Sequence, residues 1–371
     1  MARSLRQLLQ NTFGMLFGLM LVRGPVAPLA DAKDVEVATP DQLRSALREL
    51  SPETRIRIAA GEYTGSWYVS DVSDLTIEPA DPKNPPVFRG GNGSWQFSGC
   101  SGLTVRGIIV VGCRHNGINI DDGGKESGLT RDITIERVEV REIGPTGNVD
   151  AIKCSGLDHM IIKDCRIEGW GGQGIDMVGC HHVVVTGCQF KGHKGFTASA
   201  GVQMKGGSSD IIVEKCRFLN GGERPLNVGG STGAPFFRPR DAKSEASNIT
   251  VRDNTIEGSL CAAAFVGVDG AEFTGNTILF PEKWIFRILQ ESATEGFIPC
   301  RNVTIRDNLI VFRRSQVQTE VNVGSNTEPD TFRFENNSWL AEDRPAASKP
   351  RLPVSETNGH YGLDPRVDAA K

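Results

Sequence analysis

The residues with the most chemical potential fall into a column. A phrase of small, apolar, polar and apolar residues is written four times: Ala151-Ile152-Lys153-Cys154, Gly174-Ile175-Asp176-Met177, Gly201-Val202-Gln203-Met204 and Pro225-Leu226-Asn227-Val228. Extended to matching phrases earlier and later, its third position reads Gln96, Asn119, Lys153, Asp176, Gln203, Asn227 and Asn322. The flanking positions are apolar and strand residues alternate faces, so the third position is expected to point outward. Asn and Gln are disfavoured in strands, but their amides donate and accept hydrogen bonds as sugar hydroxyls require. Charged residues gather at the margin of the column: Asp121, Asp122, Asp150, Lys205 and Arg224. A long polar stripe suits an extended polymer better than a small molecule, which prefers an enclosed apolar pocket. The plain alternative is a solvated face.

The elements that must carry this column are short strands. Each copy of the phrase meets a Gly or Ser turn and then a second apolar strand, as at His159–Ile162, Val183–Val185 and Ile211–Val213. The first three copies then reach Cys165, Cys188 and Cys216. A strand–turn–strand unit recurring at roughly 20–30 residues marks a solenoid, here an all-β, parallel β-helix of about ten to twelve coils. Thr39, Pro40 and Gln42 sit at the N-cap, N1 and N3 positions of a helix start. The helix, near residues 40–50, places Leu43, Ala46, Leu47 and Leu50 on one face and would cap the open end of the core. The solenoid is expected over 33–340, and the Pro- and Ala-rich 341–371 as an irregular tail.

Three segments break the rhythm: 121–131, 229–247 and 284–300. Insertions in a solenoid map to loops, often on the binding face. Phe236, Phe237, Arg238 and Arg240 in the second are unusual choices for an inert loop, and the third holds Arg287.

The chain has 371 residues, 43 of them Gly, and a formal net charge of −4. That balance argues against nucleic acid, which needs a basic footprint. Residues 1–32 read as a signal peptide: Arg3 and Arg6, an apolar run from Thr12 to Val22, and Ala30-Asp31-Ala32 as cleavage site. The run is too short to span a bilayer. The expectation is an exported protein (periplasmic, cell-surface or extracellular) with no membrane span after cleavage, and a monomer. Of nine cysteines, Cys165, Cys188 and Cys216 take the place that Asn254, Asn276, Asn308 and Asn337 hold in later repeats. Asn there can bond along the stack, and Cys there reads as a small buried filler, so mostly free thiols are expected. No C-x-x-C pair suggests a zinc site. His159, His181 and His182 stand at turn-to-strand entries and read as structural, and His115 and His193 show no evident partner.

The cap helix, the Ile58-Ala59-Ala60-Gly61-Glu62-Tyr63 start and the coil pattern resemble exported right-handed parallel β-helix proteins of the pectate-lyase-like superfamily, over nearly all of 33–340. Within that superfamily, the stretch from Met204-Lys205 to Asn220-Gly221-Gly222 is similar to the chondroitinase B and alginate lyase group. The resemblance puts Lys205 on the group's base position. The group's catalytic Arg falls on Asn227, with Arg224 three residues earlier, and its calcium-binding acidic residues fall on Ala198 and Ala200.

The resemblance implies a polysaccharide lyase acting on a uronate polymer by β-elimination. That chemistry removes the proton beside the carboxylate, so it needs a base and a cation to stabilise the enolate. Lys205 and Arg224 are the expected pair, with Lys153 as the alternative base or as a salt-bridge partner of Asp176. Substrate contacts are expected from Asn119, Asp150, Asp176, Gln203, Asn227, Phe236, Phe237, Arg238, Arg287 and Asn322. Asp121, Asp122, Asp150 or Asp176 could hold Ca2+. The implied partner is an acidic polysaccharide or oligosaccharide. Two rivals stand beside the lyase. A glycoside hydrolase would use Asp150 with Asp176, or Asp121 with Asp122, as its carboxylate pair. A non-catalytic carbohydrate-binding solenoid would not bring its Lys and Arg side chains to one point.

Overall fold

The computed structural model describes residues 33–125, 128–292 and 295–364. The segment read as a signal peptide lies outside the described residues. No helix among them is long and apolar enough to cross a membrane.

The chain winds as a right-handed parallel β-helix. Among the described residues, ten coils contribute a strand to each of three parallel sheets, and the first, second and third sheets contain twelve, twelve and ten strands. One coil shows the pattern. His181–Thr186 lies in the first sheet, Gln189–Lys191 in the second, and Ala200–Lys205 in the third, before Ser208–Glu214 opens the next turn. The third sheet carries the repeated phrase. Its strands pair in the register read from the sequence: Gln96 lies opposite Asn119, Asn119 opposite Lys153, Lys153 opposite Asp176, Asp176 opposite Gln203, and Gln203 opposite Asn227.

The small first residue of the phrase has a packing cause. A Cβ on Gly174 would stand 2.7 Å from the Gly201 carbonyl and 3.0 Å from the Phe190 ring. Any larger residue would push the coils apart at that corner.

The helix Pro40–Arg48 covers the N-terminal end and buries Leu43. Its start is a reciprocal cap: Gln42 N donates to Thr39 Oγ1 at 3.2 Å, and Ala38 N donates to Gln42 Oε1 at 2.8 Å. All nine cysteines are free and buried. Cys216 N donates to Asn254 Oδ1 at 2.9 Å, and the ladder continues from Asn254 to Asn276, Asn308 and Asn337. Glu356 closes it by accepting from Asn337 Nδ2 at 2.8 Å and Trp339 Nε1 at 2.9 Å. Beyond Ala341 the chain is mostly irregular, but it returns a two-residue strand, His360–Tyr361, beside Ser338 and Trp339.

All three insertions leave from the same edge of the third sheet. They follow the strands Ile118–Asp121, Arg224–Gly229 and Phe286–Leu289; the last lies inside the segment 284–300 read as an insertion, so that segment leaves the sheet only after Leu289. They stand as a wall beside the polar column. Gly229 makes the exit of the second possible: its φ is +93°, and a Cβ there would overlap the Val266 carbonyl at 1.8 Å.

Candidate functional site

The centre of the column is an ionic cluster. Lys153 Nζ donates to Asp150 Oδ2 at 3.1 Å and to Asp176 Oδ2. Lys205 Nζ stands 3.4 Å from the other oxygen of Asp176 and 3.4 Å from Gln203 Oε1. Register explains the convergence. Lys153 and Asp176 are cross-strand neighbours in the column. Lys205 is two residues beyond Gln203 on the next strand, so its side chain points to the same face.

Burial and charge compete here. Burial alone drives Lys153 towards its neutral form, but the Asp176 and Asp150 carboxylates outweigh it and the pKa is raised. Lys153 is therefore an ammonium, a counter-ion and not a base. Burial raises the Asp150 pKa, and the neighbouring Asp176 charge adds to it, against the pull of Lys153.

Above the cluster opens a groove of about 880 Å³. Lys153, Lys205, Arg238 and Arg240 reach it from the cationic side, and Asn119, Asp121 and Phe236 line it with them. The wall is fastened at its base. Glu245 is fully buried, and its carboxylate accepts from Gly206 N, Thr232 N, Thr232 Oγ1 and Ser292 Oγ at 2.6–2.9 Å. Arg238 Nε bonds Asp122 Oδ2 at 3.0 Å across the groove, joining the first and second insertions. His181 Nε2 lies 3.1 Å from the Arg238 carbonyl. Burial pushes the His181 pKa down, partly countered by that hydrogen bond.

Several expected site residues take other places. Lys205 and Arg224 do not converge. Arg224 lies opposite Ala200, five residues back along the strand from Lys205, or roughly 16 Å at the strand rise. Its guanidinium pairs with Glu291 at 3.1 Å outside the groove lining. The middle of the column is not presented to solvent either: Asp176 is 0% exposed, Asn227 4% and Gln203 6%. Long side chains and the insertion wall cover it, so these residues support the groove floor and do not face a ligand. Asp150 is equally buried and accepts from Gln173 N at 2.9 Å. Phe237 is buried against Phe297, with ring centres 5.5 Å apart, while Phe236 is 66% exposed. Arg287 and Asn322 extend the column at its C-terminal end, where Arg287 Nε donates to Asn322 Oδ1 at 3.1 Å and the guanidinium lies over the Trp284 ring.

The acidic residues considered for calcium do not make a cage. Asp150 and Asp176 turn to Lys153, and Asp122 to Arg238. Asp121 accepts from Gln96, Ser98, Asn119 and Gly123. Ca2+ needs six to eight oxygens, and these carboxylates are committed to cations and N–H or O–H donors already on the chain.

Two features, one at the groove wall and one at the start of the column, were not singled out from the sequence. Glu245 sits inside an insertion, and nothing local marks it as a tether. Tyr68 is exposed and opposite Gln96, so it extends the column at its start. The alternation Trp67-Tyr68-Val69 against Trp95-Gln96-Phe97 carries that signal.

This fold defines a right-handed parallel β-helix protein. The family model for the right-handed β-helix region matches residues 93–278, half of the chain, and the chain belongs to that family. Among solved structures it is similar to an alginate lyase from a Paenibacillus species, with 19% identity over 80% of this chain and 99% of the other and a TM-score of 0.55. The A-module of a mannuronan C-5 epimerase from Azotobacter vinelandii gives 14%, 86%, 93% and 0.55. An endo-xylogalacturonan hydrolase from Aspergillus tubingensis gives 11%, 88%, 100% and 0.54. At these identities the likeness is one of fold. No curated protein sequence matches the chain.

Proposed function

We propose that the chain is an exported polysaccharide lyase that binds a uronate polymer along the third sheet and cleaves it by β-elimination. The observation that carries this reading is the convergence of Lys153 and Lys205 on one groove floor, 23 and 14% exposed at their side chains, with Arg238 on the facing wall. Lys153, held as an ammonium, neutralises the uronate carboxylate and the enolate that forms from it. Lys205, acting as the free amine, takes the proton beside that carboxylate and passes it to the departing glycosidic oxygen. The electron pair of that C–H bond becomes the new double bond, and the glycosidic oxygen leaves with the electrons of its own bond. Asn119 and Phe236 orient the sugar rings, one by hydrogen bonds and one by its apolar face. The cations that would meet a polyanion outnumber the exposed carboxylates in the groove. The alginate lyase and the mannuronan C-5 epimerase of similar fold are each named for a uronate polymer, which agrees with this choice of substrate class.

A hydrolase reading lacks its acid. Asp150 and Asp176 are fully buried beneath Lys153, so neither reaches a glycosidic oxygen; Asp122 is clamped by Arg238, and Asp121 accepts from Gln96, Ser98, Asn119 and Gly123. A binding-only reading rests on one observation: Asp176 engages both lysines, as a purely structural cluster would.

The test is incubation with alginate, polygalacturonate and chondroitin or dermatan sulfate. Ultraviolet absorbance from an unsaturated uronate supports elimination. New reducing ends without that absorbance mean hydrolysis, and saturable binding without either product means the binding-only protein.

A further inference from the structure

Round the corner from the groove wall, the first sheet starts with a cluster that the groove chemistry does not use. We propose that Asp158, His159 and His182 form a binding site for a divalent first-row transition metal, with Zn2+ as the reference ion. Asp158 is held between the two imidazoles: its Oδ1 lies 2.7 Å from His182 Nδ1 and its Oδ2 3.0 Å from His159 Nδ1. The three ligand atoms all fall within 4.8 Å of one another.

The β-helix builds this arrangement. His159 and His182 hold the same place on successive coils, each with a left-handed backbone, φ +55° and +52°. Their rings therefore stack, with centres 4.8 Å apart and planes 22° from parallel, which is the strand spacing of a sheet. Asp158 precedes His159 directly and lies opposite His181, so its carboxylate reaches both rings from the inner side. Asp158 is nearly covered while both imidazoles are more than half exposed. One anchored carboxylate with two accessible imidazoles is a ligand set with open positions for water, suited to Zn2+, Ni2+ or Co2+.

The dimensions fit. Metal–ligand bonds of about 2.0–2.1 Å put tetrahedral ligand atoms about 3.4 Å apart. The exposed rings meet that by moving a few tenths of an ångström, roughly, away from Asp158 and by closing on each other from a separation of at most 4.8 Å. Arg131 Nη2 stands 3.6 Å from Asp158 Oδ2 and is itself exposed, so it can leave when a dication arrives. Asp210, next in the column, is committed to Ser209 and Asn248 and is not a ligand. The histidines read as structural from sequence because their partner, Asp158, is one and 24 residues away on two coils. The lack of Cys pairs bears only on thiolate sites.

The test is equilibrium dialysis of the full chain against Zn2+ after chelator treatment. Binding of one ion per chain is expected. His159→Asn and His182→Asn should each weaken it at least about tenfold. Asn tolerates the left-handed backbone, so unchanged circular dichroism and melting are expected in both. Co2+ substitution gives a second readout: a visible spectrum of nitrogen and oxygen ligation supports the site, whereas a thiolate charge-transfer band puts the ion on cysteines and overturns it. Absence of saturable binding, or binding unchanged in both variants, also overturns the proposal.

Discussion

Lys205 Nζ stands 3.4 Å from Asp176 Oδ1, while the second oxygen of the same carboxylate is taken by Lys153. One buried acid thus sets the position of two lysines from strands that are not adjacent. The cluster is both a structural knot and the floor of the groove, and the two roles separate under mutation.

Asp176→Asn keeps the shape and removes the charge. Breaking a buried ion pair by deleting one partner costs about 3 kcal/mol or more, because the remaining charge is left without compensation. Asp176 is fully buried and serves both lysines, so urea unfolding should show a loss of about that size. Lys205→Ala leaves the Lys153 pair intact and should cost less.

The pH dependence of stability has a component from Asp150. Its pKa is raised in the folded state by burial and by Asp176. An acid with a raised folded pKa binds protons more tightly folded than unfolded, so its contribution to stability falls as pH rises. The window runs from its unfolded value, about 3.9, up to its raised folded value. Unfolding measured across that range should show the fall in the wild type, and Asp150→Asn should flatten it.

The register of the column, the cap helix and the Cys-to-Asn stack were legible in the sequence, because each depends on periodicity that one strand repeats to the next. The pairing of Lys205 with Arg224 was misread for a physical reason: neighbouring coils in sequence say nothing of distance along the strand, and these two are five residues apart in register. Burial of Asp176 and Gln203 was also hidden, since it is imposed by insertions whose paths the repeat does not determine. Arg238 stood out by composition, but its partner Asp122 is 116 residues away.

The asparagine ladder predicts a sharp substitution pattern. Asn276→Ala removes the acceptor of Asn254 N and the donors to Val251 O and Asn308 Oδ1. Each buried group left unpaired costs about 1–3 kcal/mol, so a loss of at least about 2 kcal/mol in denaturant unfolding is expected. Asn276→Cys should cost less, because Cys216, Cys188 and Cys165 already occupy the same stack on earlier coils.

The groove wall depends on Glu245. Glu245→Ala unties Gly206, Thr232 and Ser292 together. Limited proteolysis should then cut within 231–244 while the coils resist, and affinity for an acidic polymer should fall with the wall.

The central claim is that Lys205 acts on substrate and does not merely brace Asp176. The most direct measurement compares wild type, Lys205→Ala and Lys153→Ala on whichever uronate polymer is cleaved, following unsaturated product and polymer binding in parallel. The account predicts that Lys205→Ala still binds polymer but loses unsaturated product by at least about a hundredfold, while Lys153→Ala loses both. Unsaturated product at the wild-type rate from Lys205→Ala would contradict it.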